Sequence, residues 1–334
     1  MTDKKTVFVL GAGASCPYGY PSGSHLRERI CLSMDATGHG ELVKAVGNDR
    51  LVGDFKRTFE SSSTKSIDLF MARNLNLAPV GKYIIAFETF RAEQDSQFRE
   101  QAEWLQEAYK RRHPNDVGRE AYLKRKDFQG GDWYLYLFNR LTEGLVNLPD
   151  FSDGRVSFVT FNYDRSLEHF LYESLRNSFT EVPEDNIVQS LRKLKILHVY
   201  GQIAPLKWQD SDLGVDYRPQ ISESLLQKTA ANIKTIYEQK ESPDINEALR
   251  LLSQAGQIFF LGFGFAPENM GVLRLPGVIP QVNCHVYGTA LGLYETELKR
   301  MSNSIKERFP WQISEYCVTI KAMDCLDLLR NYLD

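Results

Sequence analysis

The sequence predicts an α/β protein built on a doubly wound parallel sheet, with a helical module inserted into it. Short runs of β-branched and aromatic residues recur along the chain, and several end at a glycine or an asparagine. Amphipathic segments with helical spacing lie between these runs. Strands that alternate with helices pair in parallel, because each helix returns the chain to the end of the sheet at which the previous strand started.

The first element is a strand followed by a glycine turn. Residues 6–10 (Thr-Val-Phe-Val-Leu) run into the turn at 11–15 (Gly-Ala-Gly-Ala-Ser). A strand, a tight turn and a helix in this order typically begin a nucleotide-binding α/β unit. Gly11 would permit the sharp turn, Gly13 would let the backbone approach a diphosphate, and the next helix would direct free N–H groups at the phosphates. Cys16 replaces the third glycine of a GxGxxG motif, and we interpret it as a small packing residue.

The character of the sequence changes between residues 40 and 149. Strand-like alternation stops, and amphipathic, charge-rich stretches such as 67–70 and 83–90 take over. This pattern predicts a helical insertion at 40–149, within an α/β domain formed by residues 1–39 and 150–334. Its charged runs are most simply solvated helix faces, and a partner-binding or substrate-capping surface is the alternative.

The α/β pattern resumes after residue 150. Strands are predicted at 155–160, 195–200, 257–261, 281–287 and near 317–320, with helices near 167–175, 221–255 and 324–332. Glycines or polar residues end most of these strands. In a Rossmann-like sheet, ligands bind beyond the carboxyl ends of the strands. We therefore expect the turns that follow the strands to form one crevice.

Composition argues against several classes of protein and site. The formal net charge of −3 at pH 7 gives no reason to expect nucleic acid as the main ligand. No apolar run approaches the roughly 20 residues that span a bilayer, and the N-terminus carries no secretory signal, so we expect a cytoplasmic protein without a membrane partner. The cysteines are odd in number and form no CxxC pair, which argues against a disulfide framework and a zinc ribbon. The histidines lack metal-ligand spacing, and no metal is expected.

Four motifs in order carry a resemblance to a known family. The turn at 11–15, the T-x-N-x-D turn at 160–164 and the His-Val-Tyr-Gly segment at 198–201 resemble those of the sirtuin superfamily. The likeness is closer to its bacterial sirtuin-like branch, which supplies NAD-consuming effectors of anti-phage defence. The Gly-Phe-Gly turn at 262–264, with Asn269 nearby, lies where that family places its later ribose contacts. The resemblance covers roughly residues 1–35 and 150–290.

The chain also departs from the deacylating sirtuins. It lacks the two cysteine pairs of their zinc ribbon, and its loop at 16–23 differs from their G-I-P-D-F-R sequence. The family usually ends the third strand with His-Gly, whereas here Tyr200 precedes Gly201 and His198 lies two positions earlier. Side chains two apart on a strand share a face, so either could point into the site. We favour His198 as the ionisable group, with Tyr200 beside it.

The resemblance implies cleavage of the bond between nicotinamide and ribose in NAD, with NAD as substrate and no metal. Asn162 would hold a ribose hydroxyl or the attacking water, and His198 would serve as a base near neutral pH. Asp164 would either orient Asn162 or cap the next helix. The implied catalytic residues are Asn162, His198, Asp164 and Tyr200. The implied NAD-binding residues are Gly11, Ala12, Gly13, Ser15, Thr160, Gly262, Gly264 and Asn269.

Two functions of different classes stay open. One is an NAD glycohydrolase, held inactive until a signal or partner assembles it, that depletes NAD in anti-phage defence. The other is a non-catalytic subunit that senses NAD or ADP-ribose in a larger complex. A dehydrogenase is a weaker third interpretation, because no ribose-binding acid follows a recognisable second strand. The expected partner is a protein encoded nearby, such as a nucleotide pyrophosphatase, helicase-type ATPase or Argonaute-like protein, in a homo- or hetero-oligomer. Hydrolysis and cyclisation of the product are not distinguished.

Overall fold

A parallel sheet forms the centre of the computed structural model, which describes residues 4–33, 38–64, 66–96, 131–145, 148, 151, 154–236, 238, 242–310 and 314–333. Its strands are β1 (Thr6–Leu10), β2 (Val156–Thr160), β3 (Lys195–His198), β4 (Gln257–Leu261), β5 (His285–Thr289) and β6 (Val318–Lys321). They lie in the order β3-β2-β1-β4-β5-β6, and each neighbouring pair is parallel. This arrangement confirms the predicted Rossmann-like α/β fold.

Helices cover both faces of the sheet. In chain order they are α1 (Gly23–Ser33), α2 (Gly38–Val46), α3 (Asp49–Ser61), α4 (Ile67–Arg73), α5 (Ala78–Asp95), α6 (Trp133–Thr142), α7 (Ser166–Ser178), α8 (Glu184–Lys193), α9 (Glu223–Ala230), α10 (Pro243–Ser253), α11 (Pro267–Val272), α12 (Glu295–Lys306), α13 (Ser314–Cys317) and α14 (Cys325–Tyr332). None of these helices is long and apolar enough to cross a membrane.

The alternation of β1 divides the apolar core into two clusters. Val7 and Val9 point into one cluster, and Phe8 and Leu10 point into the other. On the second face, the ring of Phe8 stacks between Phe158 and Phe259, with centroids 5.2 and 5.3 Å away. The central strand is therefore buried on both faces, as expected of a parallel sheet between two helical layers.

The described parts of the region 40–149 are helical and join these same clusters. Phe55 of α3 and Ile84 of α5 pack in the cluster of Val9, whereas Trp133 of α6 packs in that of Phe8. The described helices of this region therefore lie against both faces of the sheet. Residues 97–130, with their amphipathic and charged stretches, lie outside the described residues, and the division into a domain and an insertion stays a prediction.

Three sequence expectations about local structure are wrong. No α-helix follows the first turn directly: two 3₁₀ turns, Ala12–Ala14 and Cys16–Tyr18, come first, and α1 starts at Gly23 after the capping hydroxyl of Ser22. Pro17 is the middle residue of the second of these turns. The third strand ends at His198, because its carbonyl accepts the N–H of Gly201 in a turn. The fifth strand begins at His285 rather than 281, after Asn283 adopts a φ of 57°.

Candidate active site

The sheet has its topological switch point between β1 and β4. Strands β2 and β3 extend to one side of β1, and β4, β5 and β6 extend to the other. Connections leave toward opposite faces at such a point, which opens a crevice at the carboxyl ends of the two strands. The turns after β1 and β4 meet there, since the N–H of Gly11 donates to Leu261 O at 3.0 Å and that of Gly13 to Gly262 O at 3.0 Å.

The three glycines at this point are needed for the contact between the two turns. A Cβ on Gly11 would lie 2.5 Å from Gly262 O, and a Cβ on Gly13 would lie 2.9 Å from Gly262 Cα. Gly262 has a φ of 57°, and its own Cβ would lie 2.0 Å from the nitrogen of Ala14. Gly13 therefore faces the second turn, where the sequence suggested a diphosphate. A Cβ on Gly264, in contrast, would meet nothing within 4 Å, so that position is open to a ligand.

Asn162 is the best-fixed polar side chain of the crevice. Its Nδ2 donates to Gly11 O and to Ser15 Oγ, both at 3.0 Å, and its backbone N–H donates to Thr160 Oγ1 at 3.1 Å. The carbonyl of Gly11 can only accept, so the amide group has one possible orientation. Asn162 Oδ1 is buried and has no hydrogen-bond partner among the described residues. It is an acceptor that a ligand hydroxyl or a water can use.

Asp164 caps the helix that follows the second strand. Its Oδ1 accepts the N–H of Ser166, the first residue of α7, at 3.1 Å and also accepts the Ser166 hydroxyl. Burial raises the pKa of the Asp164 carboxyl, although hydrogen bonds from Ser166 and Ser15 act in the opposite direction. The geometry therefore supports the capping role that the sequence left open, and it places the carboxyl near Ser15 at the edge of the crevice.

His198 is held at both ring nitrogens. Nδ1 lies 2.8 Å from the backbone carbonyl of Asn162, and Nε2 lies 2.6 Å from Glu168 Oε1, which also accepts from Gln202 Nε2 at 2.9 Å. A carbonyl and a carboxylate are both acceptors, which suits the imidazolium form with two donors. Burial opposes that form, but the charge and hydrogen bond of Glu168 raise the pKa of His198 overall. In this arrangement His198 positions the Asn162 turn, and it must leave Glu168 before it can accept a proton.

Tyr200 lies on the opposite face from His198, so the expectation that they share a face is wrong. The turn after β3 rotates Tyr200 into the cluster of Phe161 and Val9, whereas Glu168, the partner of His198, lies on α7 over the other face. The Tyr200 hydroxyl donates to Asn269 Oδ1 at 2.8 Å. Burial raises the pKa of Tyr200, and the phenol stays protonated to make this bond.

Two buried carboxylates next to the site make contacts that the sequence does not predict. Arg165 Nε and Nη2 donate to the two carboxylate oxygens of Glu93 on α5, at 3.0 and 2.9 Å, and neither side chain is exposed. Asp68 of α4 accepts the hydroxyl of Tyr163 in the Asn162 turn, and burial raises the pKa of Asp68. Both pairs join distant parts of the chain, so no local spacing signals them. They fix the Asn162 turn from the side of α4 and α5.

The structure brings most of the expected site residues to one place. Gly11, Gly13, Ser15, Thr160, Asn162, Asp164 and Gly262 surround the switch point. Tyr200 and Asn269 form a separate pair, and no group of three or more possible metal ligands occurs among the described residues. The buried Oδ1 of Asn162 can accept a hydrogen bond from a hydroxyl group. The N–H groups of Gly11 and Gly13 already donate to the end of β4 and the turn after it, and both Cβ positions face that turn, so the expected diphosphate contact at these glycines is not open.

Comparisons with known proteins add no family. No family model matches the chain. No curated protein matches it either. The fold assignment therefore rests on the sheet, and the resemblance to the sirtuin superfamily rests on the four sequence motifs.

Proposed function

We propose that this protein binds NAD in the crevice at the switch point and cleaves its bond between nicotinamide and ribose. The observation that carries the proposal is the buried Oδ1 of Asn162, which has no hydrogen-bond partner in the described part of the chain. The same amide is anchored to Gly11 and Ser15, so its acceptor is held in place before a ligand arrives. A preorganised polar group of this kind is typical of binding and catalytic sites.

Cleavage of this bond requires few groups of the protein. When the ribose C1′–N bond breaks, the electron pair leaves with nicotinamide, which changes from a cation to a neutral molecule and needs no general acid. Water adds to C1′ and loses one proton, so the products are nicotinamide, ADP-ribose and a proton. Asn162 Oδ1 would orient the water or a ribose hydroxyl by accepting its hydrogen. The proton would pass to solvent, or to His198 once that ring has given its Nε2 proton to Glu168 and moved away from it.

One observation favours the second candidate, a subunit that binds NAD or ADP-ribose without turnover. Both ring nitrogens of His198 are already engaged, by Asn162 O and Glu168 Oε1. A site in this state offers an acceptor for binding but no free imidazole base. Activation by a partner or signal would then consist of releasing His198 from Glu168, which agrees with the proposed partner-dependent control of an NAD-depleting effector.

The test is nicotinamide release from NAD by the purified protein, alone and with the products of neighbouring genes. We expect Asn162→Ala to lower turnover by about 100-fold or more, and Asn177→Ala, at an exposed position of α7, to leave it unchanged. Thermal unfolding of both variants checks that they fold. Full turnover by Asn162→Ala contradicts the assignment of Asn162. Binding of NAD without turnover under any condition supports the sensor, and neither binding nor turnover rejects the proposal.

A further inference from the structure

A cleft of about 430 Å³ opens along the outer edge of β3. Its walls are residues 196–198 of β3, the segment after this strand, the end of α9 with the segment that follows it, and Asp244 at the start of α10. A volume of this size lies within the range of small-molecule sites, which extends from about 300 to 1,000 Å³.

The cleft is separate from the crevice at the switch point. Strand β2 lies between β1 and β3, so the outer edge of β3 is about 10 Å from β1 at the usual strand spacing. Gly11, Ser15, Asn162 and Gly262 do not line the cleft, whereas His198 does. A ligand in the cleft would therefore be a second ligand, and His198 is the residue that both sites contact.

Hydrogen bonds fix the shape of the cleft. The N–H of Lys234 donates to Tyr200 O at 2.9 Å, and Asn232 Nδ2 donates to Ile203 O at 3.1 Å. Gly201 has a φ of 82°, and a Cβ there would lie 2.0 Å from Asn232 O. The segment after α9 is thus bound closely to the end of β3, so this wall is preformed.

The polar groups of the cleft suit a phosphate and a sugar. Neither Lys228 nor Lys234 forms an ion pair with a carboxylate in the described part of the chain, although the charge of Lys228 acts on Asp210 at longer range. Lysine binds phosphate as a point charge. Asp244 is the acidic side chain of the lining, and a carboxylate accepts hydrogen bonds from the two hydroxyls of a ribose. A cleft with two cations and one carboxylate matches a ligand that carries both groups.

Apolar side chains complete the lining. Pro205 forms an apolar wall with one of Ile196 and Leu197, because these two neighbours point to opposite faces of β3. Leu213, which is 59% exposed, stands at the rim. An exposed leucine beside a cleft gains from being covered, because its apolar surface leaves water. A flat heterocyclic ring would cover such a surface, and the amides of Gln202 and Asn232 lie at the same site to bond its edge.

We propose that the cleft binds a nucleoside monophosphate, with the phosphate at Lys228 and Lys234, the ribose at Asp244 and the base against the apolar wall. This site is additional to the proposed NAD crevice and does not depend on NAD cleavage.

Calorimetric titration of the full chain with AMP tests the proposal, with adenosine and inorganic phosphate as separate probes. We expect AMP to bind more tightly than either probe, because it makes both sets of contacts. The double substitution Lys228→Gln and Lys234→Gln should weaken AMP by at least about tenfold. Lys193→Gln, at an exposed position of α8 outside the cleft, should not change AMP binding.

Three results would overturn the site. They are no AMP binding at millimolar concentration, equal affinity in the double variant and the parent, and complete displacement of AMP by NAD together with loss of AMP binding in Asn162→Ala. The last result would assign the cleft to the NAD site. Phosphate binding as tight as AMP binding would reject the nucleoside part of the proposal. Failure of NAD cleavage leaves the AMP titration unaffected, so the two proposals fail independently.

Discussion

Gly13 and Gly262 lie against each other at the switch point of the sheet. The N–H of Gly13 donates to Gly262 O at 3.0 Å, and a Cβ on Gly13 would lie 2.9 Å from Gly262 Cα. Neither residue can carry a side chain without moving the other turn. The contact therefore sets the distance between the ends of β1 and β4, and with it the width of the crevice.

Substitution of Gly262 should destabilise the protein more than substitution of Gly264 in the same turn. In Gly262→Ala the new Cβ meets the Ala14 nitrogen at 2.0 Å, and the φ of 57° is unfavourable for alanine. We expect the free energy of unfolding in urea to fall by about 3 kcal/mol or more. Gly264→Ala is the matched control, since its Cβ meets nothing within 4 Å. Equal losses in the two variants would show that the contact between the turns is unimportant.

Removing the charge of only one member of the buried pair of Arg165 and Glu93 should destabilise the protein strongly. Arg165 also donates to the carbonyl of Val215 at 2.7 Å, so it ties α5 and the 205–216 segment to the end of the second strand. Glu93→Gln leaves a buried guanidinium without its charge partner, and we expect a loss of about 3–5 kcal/mol in the free energy of unfolding.

An exposed pair on α7 provides the control for that loss. Glu173 and Arg176 lie three residues apart with a contact of 3.0 Å, and both are partly in solvent. Glu173→Gln should cost less than about 1 kcal/mol in the same unfolding experiment. If Glu93→Gln costs no more than Glu173→Gln, the buried pair does not anchor the end of the second strand.

The thiol of Cys16 should react slowly in the native protein. Burial, with a smaller contribution from Asp164, raises the pKa of Cys16 to about 11. At pH 8 the reactive thiolate is therefore scarce. Iodoacetamide labelling followed by peptide mass spectrometry should show slow modification of Cys16 until urea unfolds the chain. Fast labelling in the native state would instead indicate that the start of the turn activates this thiol.

Local patterns in the sequence predicted those features that depend on neighbouring residues. The strands at 6–10 and 257–261 agree with β1 and β4 at both ends, because a short, mostly apolar run followed by a glycine marks each of them. The two 3₁₀ turns before α1 were not predicted; the second of them contains Pro17.

Local patterns in the sequence do not predict contacts between residues that lie far apart in the chain. The motifs located Asn162, but its bonds to Gly11 and Ser15 span about half the chain. The contact between His198 and Glu168 joins residues that lie 30 positions apart, and it depends on how α7 packs over β3. A single sequence gives no signal for such pairings, and they decide whether His198 is free or engaged.

The charge state of His198 should depend on the negative charge of Glu168. Burial lowers the pKa of His198, but Glu168, Asn162 O and Asp164 raise it overall above its usual 6.5. The imidazolium therefore stabilises the folded state fully below pH 6.5, and this contribution is lost as pH rises through the raised pKa. Glu168→Gln removes the charge, so the pKa should fall and the pH dependence of unfolding above 6.5 should flatten. Gln202→Leu removes the other donor to Glu168 but keeps the charge, and should preserve the raised pKa. NMR titration of the ring nitrogens measures each value; an unchanged pKa in Glu168→Gln would mean that Glu168 does not hold His198 in its charged form.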